Sequence, residues 1–321
     1  MALLLKDPQD LTPESDTPKR RRAASAMDAS ERTLVSPLTL KRPVGRVIYW
    51  LVFALLAVGT LVALIPMYWL FTGALKSGVE IFQSPPTFWP AHPSWSNYAQ
   101  AWNILQFPLY FGNTLILAVG AVLLQMLVSA TAAYALSKLR PAGKQFIQLA
   151  IFATLMVPPV AYLIPQFVNI SDLPLIHISL FNSWAGVWLP EAASAFNILV
   201  LKSFFDSIPG ELTDAARLDG ANPWQIFTRI ILPLSRPALA VVTIFTIIAS
   251  WKDFLWPLLV LSDNSLQPLM VALFHQSAPN SGLPFVYLIA GLALASIPPI
   301  ILFLIFQRQI IRGINLTGLK G

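Results

Sequence analysis

The 321-residue sequence contains no cysteine. That excludes a disulfide framework, a thiolate metal site and a cysteine nucleophile. Histidine is nearly as scarce: His92, His177 and His275 are far apart in the chain and leave little room for a zinc cluster. Charge is short too, at 11% of residues against a hydrophobic share of 56%. Soluble domains carry roughly 25% charged residues, and a chain this poor in charge would not keep a soluble surface wet, which argues against an ordinary soluble enzyme. Glycine, at 15 residues, is outnumbered by 27 prolines, which predicts broken or kinked helices.

The few charges are unevenly spread. Residues 1–46 hold nine basic and six acidic side chains, and the other 275 positions hold only 21. The sequence therefore divides into a polar tail (1–46) and a membrane body (47–321). The tail is rich in Pro, Ser, Thr, Asp and Arg and lacks any sustained apolar period. Such a segment cannot bury enough surface to offset its ordering, and it is expected to be a disordered, basic, cytoplasmic tail. Its run Lys19-Arg20-Arg21-Arg22 is expected to act as a topology signal, with binding to anionic lipid or nucleic acid as the sharper alternative.

The body contains six apolar stretches long enough to cross a bilayer, at 47–75, 111–136, 146–167, 184–201, 237–261 and 284–306. The first follows basic residues, as a signal peptide would. It is too long for a signal peptide and lacks a small-residue cleavage site, so it is expected to stay as a helix. Six spans sort the basic residues: 19 of the 21 fall in the tail, in 137–145, in 202–236 or at the C-terminal end, and only Lys76 and Lys252 fall elsewhere. The positive-inside rule then places both termini in the cytoplasm. The outer segments are 76–110, 168–183 and 262–283. The first carries Trp89, Trp95 and Trp102, which suit interface anchors or a docking surface for an outside partner. Pro158, Pro159, Pro165, Pro298 and Pro299 interrupt the third and sixth stretches. Each frees a backbone carbonyl that lipid cannot satisfy, so these positions are expected to face protein or a cavity.

The segment 202–236 carries the most information. A first short helix begins near Pro209, with Glu211 and Asp214 early, where negative charge suits the helix dipole. Gly220 stops it, because glycine accepts the left-handed conformation at the residue past a helix end. Asn222 caps a second helix, Pro223 takes its first position, Gln225 completes a capping box, and Pro233 is expected to end it. Ala215, Ala216 and Ala221 make a thin, close-packing surface, and Trp224, Phe227 and Ile231 form one apolar stripe. The hairpin is expected to fit a groove on another protein, or else to lie on the bilayer.

This segment resembles the signature loop of ABC importer permeases, Glu-Ala-Ala-x2-Asp-Gly-Ala-x8-Ile-x-Leu-Pro. Here Asp214-Ala215-Ala216 is followed by Asp219-Gly220-Ala221, and then by Ile230, Leu232 and Pro233 at the family spacing. Only the leading acid departs, from Glu to Asp214. The flanks Ser207-Ile208-Pro209 and Trp251-Lys252-Asp253-Phe254-Leu255-Trp256-Pro257 look like the carbohydrate-uptake branch, which more often has Asn where Lys252 stands. The ending Arg312-Gly313-Ile314-Asn315-Leu316-Thr317-Gly318-Leu319-Lys320-Gly321 is similar to that of the maltose-type second permease subunit, departing in its middle.

The resemblance, over 47–321, implies an all-α, six-span permease of the type I ABC importer fold in the inner membrane of a prokaryote. It implies a homologous second permease, two ATPase subunits and an extracytoplasmic sugar-binding protein as partners, with membrane lipid around them and no role in binding nucleic acid. The loop at 209–233 would be the coupling helix that docks on an ATPase. No catalytic residue, metal site or cofactor is expected on this chain; ATP and Mg belong to the ATPase subunits. The nearest approach to a phosphate-binding loop, Gly143-Lys144, lacks the upstream glycine and the hydroxyl. Neither His-Glu-x-x-His nor Gly-x-Ser-x-Gly occurs.

Glu191 in the fourth stretch and Lys252 and Asp253 in the fifth are charges within apolar sequence. Each costs roughly 2.5–3.5 kcal/mol near mid-bilayer on insertion scales, so they are expected to pair or to line a cavity. Lys252 and Asp253 suit a structural ion pair, or, with Glu191, Trp251 and Trp256, the wall of a sugar passage. The expected function is half of the passage of an ATP-driven sugar importer. Glycerol phosphate or another polyol derivative is the alternative cargo, and an ion-driven secondary transporter or an intramembrane enzyme the rival from another class. The transporter rival would show inverted repeats without an ATPase dock, and the enzyme would show paired catalytic motifs.

Overall fold

The computed structural model describes residues 43–174 and 176–318, the side chains at 279 and 308–318 excepted. Residues 1–42 lie outside the described residues, and with them nearly all of the expected tail and its basic run. Among the described residues all regular structure is helical.

The first helix, α1 (Pro43–Gly73), begins four residues before the expected body. Proline is well suited to a first helical turn, so 43–46 belong to the helix rather than to the tail. The chain divides into two compact units at Tyr68. The described part of the first unit is α1 alone, and its side chains over 44–68 are mostly exposed and apolar.

The second unit starts with the last turn of α1. It continues through α2 (Ser96–Ile104) and α3 (Phe107–Tyr134), the latter extended by a π turn over Ala135–Leu139. Then come α4 (Lys144–Thr154), α5 (Pro159–Ser171), α6 (Trp184–Glu191), α7 (Ala195–Ser207) and α8 (Gly210–Leu218). α9 (Pro223–Ile226) continues through a π turn (Phe227–Ile231) and Leu232–Leu234. The rest are α10 (Arg236–Lys252), α11 (Leu255–Val260), α12 (Leu269–Gln276) and α13 (Phe285–Gly318).

Three helices, α1, α3 with its π turn, and α13 to Gln307, are long and apolar enough to cross a membrane alone. By length and composition, three bent pairs raise the number to as many as six if each is one span: α4 with α5 at 101°, α6 with α7 at 48°, and α9 with α10 at 79°. The expected third and fourth stretches are therefore bent pairs rather than single helices, and the fifth divides into α10 and α11. Pro158 is extended (ψ 135°) because the residue before a proline is pushed out of the α region. Pro190 sits in the last turn of α6, and Ser194 restarts the chain as the cap of α7, accepting from the Asn197 N–H. In the fifth stretch the helix stops at Lys252, Asp253 is extended (ψ 128°), and α11 starts afresh at Leu255.

Three clusters hold the second unit together. One joins α2, the start of α3, α12 and α13 around Phe107, Trp251, Leu273 and Ala293. A second joins the end of α3 to α7, α9 and α10 around Ala133, Phe205, Ile231 and Val242. The third packs Trp256 and Val260 against Leu117, Ile170 and Val187. Small residues let helices approach closely, as membrane bundles require. Gly120 is the sharpest case: a Cβ there would lie 2.1 Å from the Trp188 ring, whose Nε1–H donates to the Leu117 carbonyl at 3.0 Å.

The loop before α2 is folded rather than trailing. Lys76 is fully buried. Its ammonium donates to the Thr87 carbonyl and lies 4.3 Å from the centre of the Trp69 ring. Asn97 Nδ2 donates to the Ala74 and Lys76 carbonyls at 2.9 and 3.0 Å. The Glu80 carboxylate accepts from the Ala91 N–H and the Thr87 hydroxyl, both at 2.9 Å. These bonds, the Ala91 N–H first, hold its carboxyl below the ordinary glutamate value.

Candidate functional site

The hairpin of α8 and α9 folds as its sequence dictates. Gly220 has φ +83°, and two hydrogen bonds close the end of α8: Ala221 N–H to the Ala216 carbonyl at 2.9 Å and Gly220 N–H to the Arg217 carbonyl at 3.0 Å. This is the Schellman arrangement, in which the left-handed residue turns two amides back onto orphan carbonyls. Asn222 Oδ1 accepts from the Gln225 N–H and Gln225 Oε1 accepts from the Asn222 N–H, each at 2.9 Å, so the capping box is complete.

The hairpin has a buried root and an exposed tip. Ile226, Phe227 and Ile231 are buried among Ala133, Tyr134, Leu201 and Phe205. The Tyr134 hydroxyl donates to the Pro223 carbonyl at 2.9 Å, and its ring lies 4.9 Å from that of Phe227. Asp214, Ala215, Leu218, Asp219, Gly220 and Trp224 are exposed, and Arg217 pairs with Asp214 at 3.1 Å. The expected stripe thus faces two ways: Phe227 and Ile231 anchor the hairpin to its own chain, and only Trp224 is left for a partner. Ala216, Ala221, Ile230 and Leu232 are half-buried, the first two and Leu232 against the root. Pro233 does not end the second helix, which runs to Leu234. The π turn just before it is where the ladder absorbs a residue without an N–H.

Away from the hairpin, a cavity of about 910 Å³ opens between the bent pairs. Its wall includes Glu191 and Ser194 from the break between α6 and α7, Asp253 and Trp256 from the break between α10 and α11, and Pro159 and Tyr162 from α5. Broken helices at membrane depth are tolerated where they line such a space. Gln125, Asn197 and Thr246, one each from α3, α7 and α10, form a buried triad on the same wall. Asn197 Nδ2 donates to Gln125 Oε1 at 2.7 Å and to Thr246 Oγ1 at 3.2 Å, and the Thr246 hydroxyl donates to Gln125 Oε1 at 3.0 Å. Trp256 is fixed by its Nε1–H, which donates to the Gly186 carbonyl at 3.2 Å.

Residues 125–316, which contain the hairpin and most of this wall, match the family model described as binding-protein-dependent transport system inner membrane component. This chain belongs to that family. Two curated relatives are similar over most of their length. The sn-glycerol-3-phosphate transport system permease protein UgpE of Pectobacterium atrosepticum is 32% identical over 267 residues, covering 81% of this chain and 93% of that protein. The diacetylchitobiose uptake system permease protein NgcG of Streptomyces coelicolor is 31% identical over 265 residues, covering 82% and 86%. Among solved structures, a chain of a bacterial ABC transporter involved in the import of the acidic polysaccharide alginate superposes with a TM-score of 0.74. It is 28% identical, covering 83% of this chain and 98% of that one. The protein is an all-α inner-membrane permease of the ABC importer class.

Within the permease, the residues expected to line a passage divide. Glu191, Asp253 and Trp256 meet at the cavity. Trp251 does not; it is buried in the first cluster, its Nε1–H donating to the Ala295 carbonyl at 3.2 Å. Lys252 is exposed and away from the wall, and the expected Lys252–Asp253 ion pair is not formed. Neighbouring residues at a helix end point apart, and Asp253 has already left the helix. Sequence reasoning missed the Gln125, Asn197 and Thr246 triad. Its signal was present as two amides and a hydroxyl inside three different apolar stretches.

Proposed function

We propose that this permease forms one half of the passage of an ATP-driven importer for a carbohydrate, with both termini in the cytoplasm and the hairpin as the coupling element. Its homologous partner permease supplies the other half. An extracytoplasmic binding protein delivers the cargo, and two separate ATPase subunits bind ATP and Mg and hydrolyse the nucleotide. In this reading Asp214, Ala215, Ala216, Asp219, Gly220 and Ala221 present the docking tip, Trp224 flanks it, and Ile230, Leu232 and Pro233 join it to the bundle. Glu191, Asp253 and Trp256 face the cargo. The observation that carries the reading is the hairpin's division into an anchored root and an exposed, rigidly capped tip, beside a cavity built from helix breaks. A rigid lever of this kind passes movement of an ATPase into helices α3, α7 and α10 and so to the cavity wall. A polyol phosphate is the second reading for the cargo, favoured by the 32% identity to a glycerol-3-phosphate permease protein.

The test is co-expression with the genes next to this one, followed by purification on a tag carried by this chain. Expected are co-elution of a second permease and an ATPase, and sugar uptake that stops when the ATPase is inactivated. Uptake that continues undiminished without any ATPase sinks the reading.

A further inference from the structure

We propose that the wall this permease contributes to the passage selects by charge: it admits neutral or cationic hydroxyl-bearing cargo and repels anions, with Glu191 as the main determinant. The inference rests on the reading of the cavity as a cargo passage.

Among the described residues lining the cavity, the charged side chains are Glu191 and Asp253; no Lys, Arg or His is present. The nearest basic residue in sequence, Lys252, is turned away from the wall. The two carboxylates differ in their surroundings. Asp253 is extended between Lys252, the last residue of α10, and Leu255, the first of α11, so its place is set by the helix break. Glu191 has no hydrogen bond or ion pair among the described residues. A carboxylate at membrane depth without a counter-ion is expensive, and such groups mark pathways when they face a water-filled space. Nothing in the packing uses Glu191, which sits where α6 breaks and faces open volume.

The rest of the wall fits the same class of cargo. The amide and hydroxyl triad of Gln125, Asn197 and Thr246 adds neutral polar groups to the wall, its internal bonds using Asn197 Nδ2, the Thr246 hydroxyl and Gln125 Oε1. Beside it, Glu191 is a charged acceptor free to receive hydroxyl or ammonium hydrogens. A carboxylate accepts two such bonds side by side, as adjacent sugar hydroxyls provide. A phosphate or uronate offers acceptors and negative charge, and in a low-dielectric cleft of one sign it is repelled.

The chain has no cysteine, so the field in the cavity is measurable with thiol probes. Ala193 is exposed and lines the cavity. Ala193→Cys is made in the full chain, co-expressed with its partner subunits in membrane vesicles. It is reacted with trimethylammonium-ethyl, methyl and sulfonatoethyl methanethiosulfonates, each rate divided by that for a free thiol in solution. The expected result is a cationic-to-anionic ratio above about 10, in line with focusing by a charged cleft, falling several-fold when Glu191→Gln is added and less when Asp253→Asn is added. Equal rates, or a faster anionic reagent, overturn the charge selection while leaving the passage reading intact. No reaction with any of the three removes Ala193 from an open passage, and both readings fail together.

Discussion

Gly120 shows how much a single atom decides in this bundle. The Trp188 ring occupies the space a Cβ would need and cannot swing away without losing its bond to the Leu117 carbonyl. Gly120→Ala is therefore expected to cost about 1–3 kcal/mol, the usual range for overpacking. Gly112→Ala in the same helix, where a Cβ meets nothing within 4 Å, is expected to cost nothing; melting in detergent compares the two. The buried triad sets a second residue-scale expectation. Asn197→Ala leaves Gln125 and Thr246 bonded to each other, so the loss is the modest one measured for polar contacts between membrane helices, about 0.5–1.5 kcal/mol. A larger fall in melting would mean that the triad also holds the α6–α7 break. Lys252→Ala, which removes an exposed cation without a partner on Asp253, is expected to leave assembly with the sister subunit unchanged on co-purification. Loss of assembly would place Lys252 at an interface between subunits.

At the scale of elements, local chemistry was legible where it is local. The stop at Gly220 and the box of Asn222 and Gln225 depend on side chains within three residues of the amides they satisfy, and both were readable from the sequence. What was not readable depends on distant partners. Trp224, Phe227 and Ile231 form one stripe by spacing, but whether it faces a partner or the chain itself is decided by Tyr134 and Phe205, far away in sequence. The breaks in the third and fourth stretches have proline signals, and so has the break at Asp253, where Pro257 lacks the N–H that would bond the Asp253 carbonyl and its ring crowds that carbonyl. The same distinction shapes the test of the hairpin. Gly220→Pro cannot adopt φ +83° and loses the N–H that bonds the Arg217 carbonyl. Asp219→Lys reverses the charge of an exposed tip without touching the root. Both are expected to leave membrane level and sister pairing intact while uptake and cargo-stimulated ATP hydrolysis fall together. Tyr134→Phe, which removes only the bond to the Pro223 carbonyl, is expected to give a partial loss. Full uptake in both tip variants would leave only a surface hairpin.

For the whole molecule, the question is which end faces the cytoplasm, and sequence and structure meet on it. The sequence sorts 19 of 21 basic residues to one side of a six-span chain. The structure brings two of those basic segments together. The Ser137 hydroxyl donates to Asp206 Oδ1 at 2.7 Å, Lys138 Nζ donates to the Ile208 carbonyl at 2.8 Å, and Tyr134 reaches Pro223. At the other end of α3, Asn113 Nδ2 donates to the Ser265 and Gln267 carbonyls at 2.7 and 3.0 Å, so the charge-poor segments 76–110 and 262–283 also share one end. Neither observation alone fixes the side, because the bundle could be inserted either way; the positive-inside rule supplies the sign. Ser137 is buried, so exposed positions are the right reporters. Gln145→Cys and Ser207→Cys are expected to react with a membrane-impermeant maleimide only from the cytoplasmic face. Ser96→Cys and Asn280→Cys, exposed at the opposite end, are expected to react only from outside. If all four were labelled with the sides exchanged, the bundle would stand but the hairpin would point away from any cytoplasmic ATPase, and the coupling role would fall with it. If Gln145 and Ser207 were labelled from opposite faces, the hydrogen bonds that join their segments would be contradicted, and the six-span arrangement itself would have to be given up.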